Sequence, residues 1–206
     1  MPCAVDYTAG QFMYVQYPRG GESHPFTVLS YDNERQVMRI AYKAQGKRTK
    51  SLARLSGTSG QYMYVDGPYG RFTSDIVTSD RPVVCIAAGI GITPFYELVE
   101  QYVGSRDMKL LYMNRTSDTT PYKHDFDEQL ADDCIHILSR EREQTQENEI
   151  IGTRLTPAII REQVGDWLPC AQFYICGSSS VIASVCDMLA SLGVQQSYID
   201  YEPFDM

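Results

Sequence analysis

The sequence is poor in the residue patterns that build metal centres. Its six cysteines include no C-x-x-C pair, and its three histidines, at positions 24, 124 and 136, stand at no metal-ligand spacing to one another. These absences argue against zinc and iron–sulfur ligation, so we expect no metal. Scattered cysteines also favour a reduced, cytoplasmic protein.

The sequence also lacks a long apolar run and a positive charge balance. None of its apolar stretches is long enough to span a bilayer, and the first twelve residues do not read as a signal peptide. The 206 residues carry a formal net charge of −8, which argues against a general nucleic-acid binder. We therefore expect no membrane span and no nucleic-acid partner in this chain.

Residues 1–76 have the pattern of an all-β domain. Their apolar segments are short, rich in tyrosine, valine and phenylalanine, and separated by turn-forming residues. The strand candidates are residues 11–17, 26–31, 37–44 and 61–66, with one short helix near 48–55. Closely spaced strands of this kind predict a small antiparallel β-barrel.

From residue 77 to 206, strand and helix patterns alternate. The strand candidates are residues 82–88, 109–115, 134–140, 172–178 and 197–201, and the helix candidates are 93–104, 123–131, 156–164 and 179–192. This alternation predicts a five-stranded, Rossmann-like parallel sheet with helices on both faces. Thr93 and Thr156 each precede a proline and are predicted to cap their helices, and Gly193 is predicted to end the last one.

The first strand of this second domain ends in "GIGITP", residues 89–94. Gly89 and Gly91 would let the backbone approach a pyrophosphate, and the amides that open the next helix attract anions. Ligands of open α/β sheets bind at such turns, so the motif predicts a dinucleotide site. The alternative is a tight turn that binds no ligand.

Basic residues are concentrated in residues 35–54. This segment carries seven lysines and arginines and no acidic residue, so the rest of the chain has a net charge of −15. Such a segment suits a bound polyanion or an acidic partner. Within it, "GKRT" at 46–49 could place Thr49 at a helix start facing phosphate. The alternative is a solvated strand face and a solvated helix face.

Seven short motifs occur along the chain in one order. They are "GQF" at 10–12, "HPFT" at 24–27, "GKRTKSL" at 46–52, "GPYG" at 67–70, "GIGITP" at 89–94, "CGS" at 176–178 and "EPF" at 202–204. In order and spacing they resemble the ferredoxin–NADP reductase superfamily. Within it, the sequence is most similar to the flavin/NAD(P)H dehydrogenase domains of NADPH oxidases and ferric reductases.

The resemblance implies two cofactors, FAD rather than FMN, and NADPH or NADH. It implies a flavin site in the barrel domain, formed by His24, Pro25, Phe26, Thr27, Tyr42, Lys43, Gly46, Lys47, Arg48 and Thr49, with Phe204 from the C-terminus. It implies a pyridine-nucleotide site formed by Gly89, Ile90, Gly91, Thr93, Pro94, Arg115, Cys176, Gly177 and Ser178. Thr27, near flavin N5, and Cys176 and Glu202, near the reacting rings, would be the catalytic residues.

Simpler interpretations of these residues remain open. Phe26 and Phe204 could be ordinary core aromatics, Cys176 a small buried apolar residue, and Glu202 a surface charge. Two departures from the family also matter. Ser178 stands where the family usually has proline, and only nine residues precede "GQF" where the family has further strands. We therefore expect a partial barrel that another segment or chain could complete.

The function implied by the resemblance is that of a flavin oxidoreductase. A hydride would pass from the nicotinamide to FAD, and single electrons would then leave for a haem or iron protein, a ferric chelate or oxygen. The location would be cytoplasmic, including the cytosolic face of a membrane partner. The first alternative is a flavin- or nucleotide-binding interaction module without turnover, or an electron-transfer subunit of a larger complex. A dehydrogenase using only a pyridine nucleotide is the second, against which "HPFT" and "GKRT" argue.

Overall fold

The computed structural model describes residues 5–17, 21–44, 49–50, 52–53 and 62–204. These residues form two sheets. The first contains β1 (Phe12–Gln16), β2 (Ser23–Asp32), β3 (Val37–Ile40) and β4 (Tyr64–Tyr69), in the antiparallel order β3-β2-β1-β4. Within the described ranges β3 and β4 are the two edges and do not pair, so this sheet is an open, partial barrel. Residues 49–50 and 52–53 are helical, where a short helix was predicted.

The second sheet is parallel throughout and has six strands. They are β5 (Val83–Ala88), β6 (Met108–Asn114), β7 (Cys134–Leu138), β8 (Glu149–Ile151), β9 (Gln172–Gly177) and β10 (Ile199–Pro203), in the order β10-β9-β5-β6-β7-β8. The predicted class is confirmed, and the sheet has one strand more than the five expected. Strand β8 was missed because it has only three residues and follows a polar, charged loop.

Four helices cover the parallel sheet: α1 (Thr93–Tyr102), α2 (Lys123–Leu130), α3 (Pro157–Val164) and α4 (Ser179–Ser191). Successive residues of a strand face opposite sides of a sheet. Cys85 of β5 accordingly packs in one apolar cluster with residues of α1 and α2, and Ile86 in a second cluster with residues of α3 and α4. Helices on both faces explain why β5 is buried along almost its whole length.

The two Thr-Pro helix starts differ. The Thr156 hydroxyl accepts a hydrogen bond from the Ile159 amide at 3.3 Å, so the predicted cap of α3 is confirmed. The predicted cap of α1 is wrong. A 3₁₀ turn, Gly89–Ile92, leads directly into α1, and the Thr93 hydroxyl instead donates to the carbonyl oxygen of Ile90 at 3.2 Å. Gly193 follows α4 with φ of +83°, as predicted for a helix end.

An aromatic seam joins the two sheets. The ring of Phe72, in the connection after β4, lies 5.7 Å from that of Phe95 in α1 and 5.9 Å from that of Tyr174 in β9. The Tyr174 hydroxyl donates to Asp75 Oδ1 at 2.6 Å. On the other side of the seam, α1 packs against β2. The first helix of the parallel sheet therefore contacts the strand that carries "HPFT".

In the part of the chain that the structure describes, none of the helices combines the length and apolar character needed to cross a membrane.

A buried polar cluster lies between α2 and β7. The Nε2 atom of His136 is 2.7 Å from Asp127 Oδ1 and 3.4 Å from the Cys134 sulfur, and Lys123 Nζ is 2.9 Å from Asp127 Oδ2. Burial lowers the pKa of His136, more than Asp127 raises it. Burial alone would raise the pKa of Asp127, but hydrogen bonds from His136 and Lys123 outweigh it and lower that pKa. The cluster is thus a neutral imidazole that donates to an ionised carboxylate.

This cluster predicts that folding stability falls as the pH drops from 7.5 to 5.5. The unfolded chain takes up a proton on His136 near its ordinary pKa of about 6.5, whereas the folded chain resists it. The contribution of Asp127 to folding stability is lost only at lower pH, as the pH falls below the ordinary pKa of an aspartate. Thermal unfolding at several pH values should show that His136→Gln lowers the melting temperature at pH 7.5 and flattens its decline towards pH 5.5.

The matched control is His124→Gln, because the His124 side chain is 82% exposed. This control should keep the wild-type slope. An unchanged slope in His136→Gln would contradict the assignment of the pH dependence to the buried imidazole.

Candidate functional site

The "GIGITP" motif forms the turn between β5 and α1. Gly89 has φ of +56°, a left-handed conformation that favours glycine. The buried hydroxyl of Tyr112, on β6, lies 3.1 Å from the Gly89 carbonyl oxygen and 3.2 Å from that of Pro121. This phenol ties the turn to the neighbouring loop. Tyr112 was not singled out from the sequence, because only the strand pairing brings it under the turn.

Gly91 lies against the end of β9. A β-carbon at Gly91 would stand 2.7 Å from the carbonyl carbon of Cys176 and 3.0 Å from the Gly177 nitrogen. Strands β5 and β9 are neighbours, yet the chain continues from β5 towards β6 and from β9 towards β10 on opposite sides. The turn therefore lies at the switch point of the sheet, where such folds bind nucleotides.

The ends of β9 and β10 meet beside this turn. Glu202 lies opposite Cys176 in the register of the two strands, and the Phe204 amide donates to the Gly177 carbonyl oxygen at 2.8 Å. Burial, then the charge of Glu202, raises the pKa of the fully buried Cys176 thiol. Burial, then the charge of Asp200, raises the pKa of Glu202. Cys176 is therefore a neutral thiol rather than an ionised nucleophile.

Two further nucleotide-site candidates, Ser178 and Arg115, lie at the same edge of the sheet. Ser178 precedes α4, and its hydroxyl is 3.1 Å from that of Ser180, without capping a helix amide. Arg115 follows β6 and is exposed, and its carbonyl oxygen accepts from the Arg140 amide at 2.8 Å. The structure gives the Arg115 guanidinium no hydrogen-bond or ion-pair partner among the residues that it describes.

The "HPFT" motif lies in β2. Phe26 and Thr27 are 4% and 5% exposed and point to opposite faces of the strand. The Phe26 ring packs edge-on against Tyr42, with centroids 6.0 Å apart. Within the described ranges the Thr27 hydroxyl has no hydrogen-bond partner. The Thr27 hydroxyl is therefore free to form a hydrogen bond with a ligand bound at this face of β2.

The remaining flavin-site candidates are less enclosed. His24 is half-buried, with Nε2 3.7 Å from a carboxylate oxygen of Glu22, while Pro25 and Lys43 are exposed. Thr49 is buried at the first described helical position of its segment. Gly46, Lys47 and Arg48 lie outside the described residues.

The sequence interpretation missed an aromatic cluster formed by Phe12, Tyr14 and Tyr69. Their ring centroids are 5.6–6.1 Å apart, and both tyrosines are partly exposed. In the register of β1 and β2, Phe12 lies opposite Thr27. Residues 12 and 69 belong to the "GQF" and "GPYG" motifs, so the signal was present, but no role had been given to these rings.

Comparison with known families agrees with this geometry. A family model described as an FAD-binding domain matches residues 2–73, and one described as an oxidoreductase NAD-binding domain matches residues 85–187. The chain belongs to the ferredoxin–NADP reductase superfamily. As a member of this superfamily it combines an FAD-binding domain with a domain for a pyridine nucleotide.

Two curated relatives are similar to this chain over about half of its length. The electron transfer subunit of dihydroorotate dehydrogenase B (NAD(+)) from Lysinibacillus sphaericus is 30% identical over 127 residues, which are 59% of this chain and 48% of the relative. NADPH oxidase 3 from Rattus norvegicus is 36% identical over 103 residues, 44% of this chain and 18% of the relative. The chain thus spans less than half the length of these relatives.

A solved structure is similar over nearly the whole chain. The FAD/NAD-binding domain of nitric oxide dioxygenase from Vibrio cholerae superposes with a TM-score of 0.76 at 20% identity. The match covers 98% of this chain and 86% of that one. At this identity the likeness shows the shared fold.

The arrangement of the described residues fits the two cofactors named in the matching family models. The unpaired Thr27 hydroxyl and the apolar surroundings of Phe26 suit an aromatic ring with a hydrogen-bonding edge. The turn between β5 and α1, where Gly89 has open space around its α-carbon, suits a pyrophosphate held by backbone amides.

Gly91→Ala should damage both the nucleotide site and the stability of the fold. The added β-carbon collides with the backbone of Cys176, so either the turn or the end of β9 must move. We expect the dissociation constant for the pyridine nucleotide to rise roughly tenfold, equivalent to about 1.4 kcal/mol. Equilibrium titration with NADPH and with NADH measures it.

The matched control is Gly104→Ala. Gly104 has φ of +83° and open space around its α-carbon, so alanine there introduces backbone strain of about 1–2 kcal/mol without a collision. It should lower stability and leave nucleotide affinity unchanged. If both variants bound nucleotide like the wild type, the position of the pyrophosphate at Gly91 would be wrong.

Proposed function

We propose that the chain is a reductase module that passes electrons from NAD(P)H through FAD to an external acceptor. One observation carries the proposal: the helix that follows the nucleotide turn, α1, packs directly against β2, which carries the unpaired Thr27 hydroxyl. Each half-site comes from a different sheet, and this contact brings them together. The family matches to both domains support it.

The proposed site divides between two domains, residues 1–76 and 77–206. Thr27 offers a hydroxyl to the flavin edge, and His24, Tyr42, Lys43 and Thr49 lie towards its diphosphate and adenosine. Bound FAD would supply the chemistry of accepting a hydride and releasing electrons singly. Gly89 and Gly91 hold the pyrophosphate of the nucleotide.

The C-terminal residues would surround the reacting rings. Cys176 contributes a neutral, compact thiol, Glu202 a half-buried carboxyl group with a raised pKa, and Phe204 an aromatic ring. None of them has to act as a base, because ring-to-ring transfer depends on alignment and exclusion of water. Their role is to shape the contact between the two rings.

The acceptor is proposed to be a protein with a one-electron centre or a small oxidant. One relative is named as an electron transfer subunit, and another as an NADPH oxidase. Among the described residues, β3 and β4 are unpaired edge strands, which suits transfer to a partner because such edges accept additional chains.

An anaerobic absorption experiment tests the proposed function. The purified protein, loaded with FAD, is mixed with NADPH or NADH under nitrogen. We expect the flavin absorption near its long-wavelength maximum to bleach, and an added ferric chelate to restore it. Retained FAD that neither nucleotide bleaches would contradict the proposal and favour a binding module without turnover.

Thr27→Val should slow flavin reduction without unfolding the protein. The change removes a hydroxyl that has no described protein partner, so no hydrogen bond within the described protein is lost. A single hydrogen bond to the flavin edge is worth on the order of 1 kcal/mol, or about a fivefold change in rate. Anaerobic stopped-flow with saturating nucleotide measures it, and Thr8→Val, at an exposed position, is the control. Reduction at the wild-type rate would remove Thr27 from the catalytic residues.

A preference for NADPH over NADH is proposed from Arg115. Its exposed guanidinium, which has no partner among the described residues, follows β6 where a 2′-phosphate would lie, and the first acidic residue after that strand is Asp118. A charge-assisted contact is worth roughly 1.5–3 kcal/mol, or about ten- to a hundredfold in affinity. Arg115→Ala should raise KM for NADPH by that factor and leave KM for NADH unchanged. The control is Arg161→Ala, an exposed arginine on α3; equal wild-type efficiency with both nucleotides would refute the preference.

A further inference from the structure

Two loops beside the parallel sheet are hydrogen-bonded to each other. The first, residues 115–120, follows β6 and begins with Arg115, and the second, residues 139–148, connects β7 to β8. Their backbones meet where the pairing of β6 with β7 ends, since the Arg140 amide donates to the Arg115 carbonyl oxygen at 2.8 Å. The second loop therefore holds the first loop from its first residue.

Ser117 of the first loop is held by two carboxylates. Its amide donates to Glu141 Oε2 at 2.9 Å, and its hydroxyl donates to Glu149 Oε1 at 3.1 Å. Glu141 lies in the second loop, and Glu149 is the first residue of β8. Each bond uses a proton of its own and a carboxylate of its own, so both bonds form at the same time.

The Glu149 carboxylate binds both loops at one point. Its side chain is 0% exposed, and it also accepts from the Thr145 amide at 2.9 Å and from the Gln146 amide at 3.3 Å. Burial alone would raise the pKa of Glu149, but hydrogen bonds, chiefly from Thr145 and Ser117, outweigh it and lower that pKa. The carboxylate is thus ionised, and hydrogen bonds to an ionised acceptor are stronger than those between neutral groups.

These bonds fix the backbone on both sides of Arg115. Strand β6 precedes Arg115, and the doubly bonded Ser117 lies two residues after it. The Arg115 side chain is exposed, so the position of its guanidinium depends on the backbone that carries it. A phosphate binds more tightly to a group that is already held in place, because less conformational freedom is lost on binding.

We propose that Ser117 is a positioning residue for nucleotide specificity: held by Glu141 and Glu149, it keeps Arg115 where a 2′-phosphate binds. Ser117 acts through Arg115 and does not itself contact the nucleotide. NADH has no 2′-phosphate, so its affinity is independent of these bonds. This inference rests on the proposed function, and in particular on the role given there to Arg115.

Ser117→Ala removes one of the two bonds at a half-buried position. We expect the dissociation constant of NADPH to rise about fivefold, the equivalent of one hydrogen bond, and that of NADH to stay within about twofold. Glu141→Gln keeps the shape of its side chain and weakens the bond to the Ser117 amide, so it should act in the same direction. Equilibrium titration measures both constants.

Two smaller probes give a readout that needs neither flavin nor turnover. Adenosine 2′,5′-bisphosphate carries the 2′-phosphate, and 5′-AMP does not. Titration calorimetry should show that Ser117→Ala weakens binding of the bisphosphate by about the same factor as it weakens NADPH binding, and that binding of 5′-AMP is unchanged.

The matched controls are Ser105→Ala and Glu143→Gln. The Ser105 hydroxyl donates to the Tyr102 carbonyl oxygen at 2.9 Å within an exposed turn before β6, and Glu143 is an exposed carboxylate of the second loop. Each control removes the same chemical group as its test variant, away from Arg115. Both should bind NADPH like the wild type.

A double-mutant cycle separates positioning from general damage to the fold. In an Arg115→Ala background, Ser117→Ala should lower NADPH affinity no further, because the loop then has no guanidinium to position. A purely structural effect would weaken NADPH binding equally in both backgrounds, and it would weaken NADH binding as well.

The positioning role is wrong if Ser117→Ala binds the bisphosphate like the wild type, if its loss adds to that of Arg115→Ala, or if NADH affinity falls equally. It is also wrong if Arg115→Ala binds NADPH like the wild type. The proposed function fails separately. If neither nucleotide bleaches the bound flavin and the bisphosphate results hold, electron transfer is wrong and the positioning role stands.

Discussion

The contact between the two sheets is the constraint on which the rest of the site depends. The candidate flavin residues lie on β2, and the nucleotide turn lies at the carboxyl end of β5, so neither sheet forms a site alone. The edge-on packing of the Phe72 ring against Phe95 and Tyr174 supplies apolar contact between the sheets. Hydrogen bonds such as that from Tyr174 to Asp75 fix how the two sheets are rotated against each other.

Several half-buried ionisable groups lie near this contact. Burial raises the pKa of the carboxyl groups of Glu97, Asp200 and Glu202, and also that of the nearby phenols. A reaction that moves a hydride between two stacked rings depends on alignment and needs no protein base.

Local pattern was sufficient to predict most of the fold. The sequence predicted β5 from its apolar segment, because burial on both faces requires apolar residues in succession. It predicted the start of α3 from Thr-Pro, because a helix cap is formed within a few residues. Strand β8 was missed, since three residues carry too little periodicity. The cap at Thr93 was predicted wrongly because a 3₁₀ turn before α1 changes what its hydroxyl can reach.

The site was only partly predictable for a different reason. The glycines of the nucleotide turn were recognised by motif, but the closeness of Gly91 to Cys176 comes from the pairing of β5 with β9, which are 90 residues or so apart in sequence. Tyr112 below the turn and Ser117 beside Glu149 likewise depend on tertiary packing. No spacing rule within one segment could have identified them.

The central claim is that the seam brings the nicotinamide directly against the flavin, so that a hydride passes between them. Nucleotide labelled with deuterium at one or the other C4 position tests it, by anaerobic stopped-flow measurement of flavin bleaching. The account predicts a primary isotope effect for one label and none for the other, because a fixed site presents a single face of the nicotinamide. Equal slowing with both labels would contradict direct transfer in a fixed site. Bleaching that neither label slows would also contradict it, once a step slower than hydride transfer has been excluded.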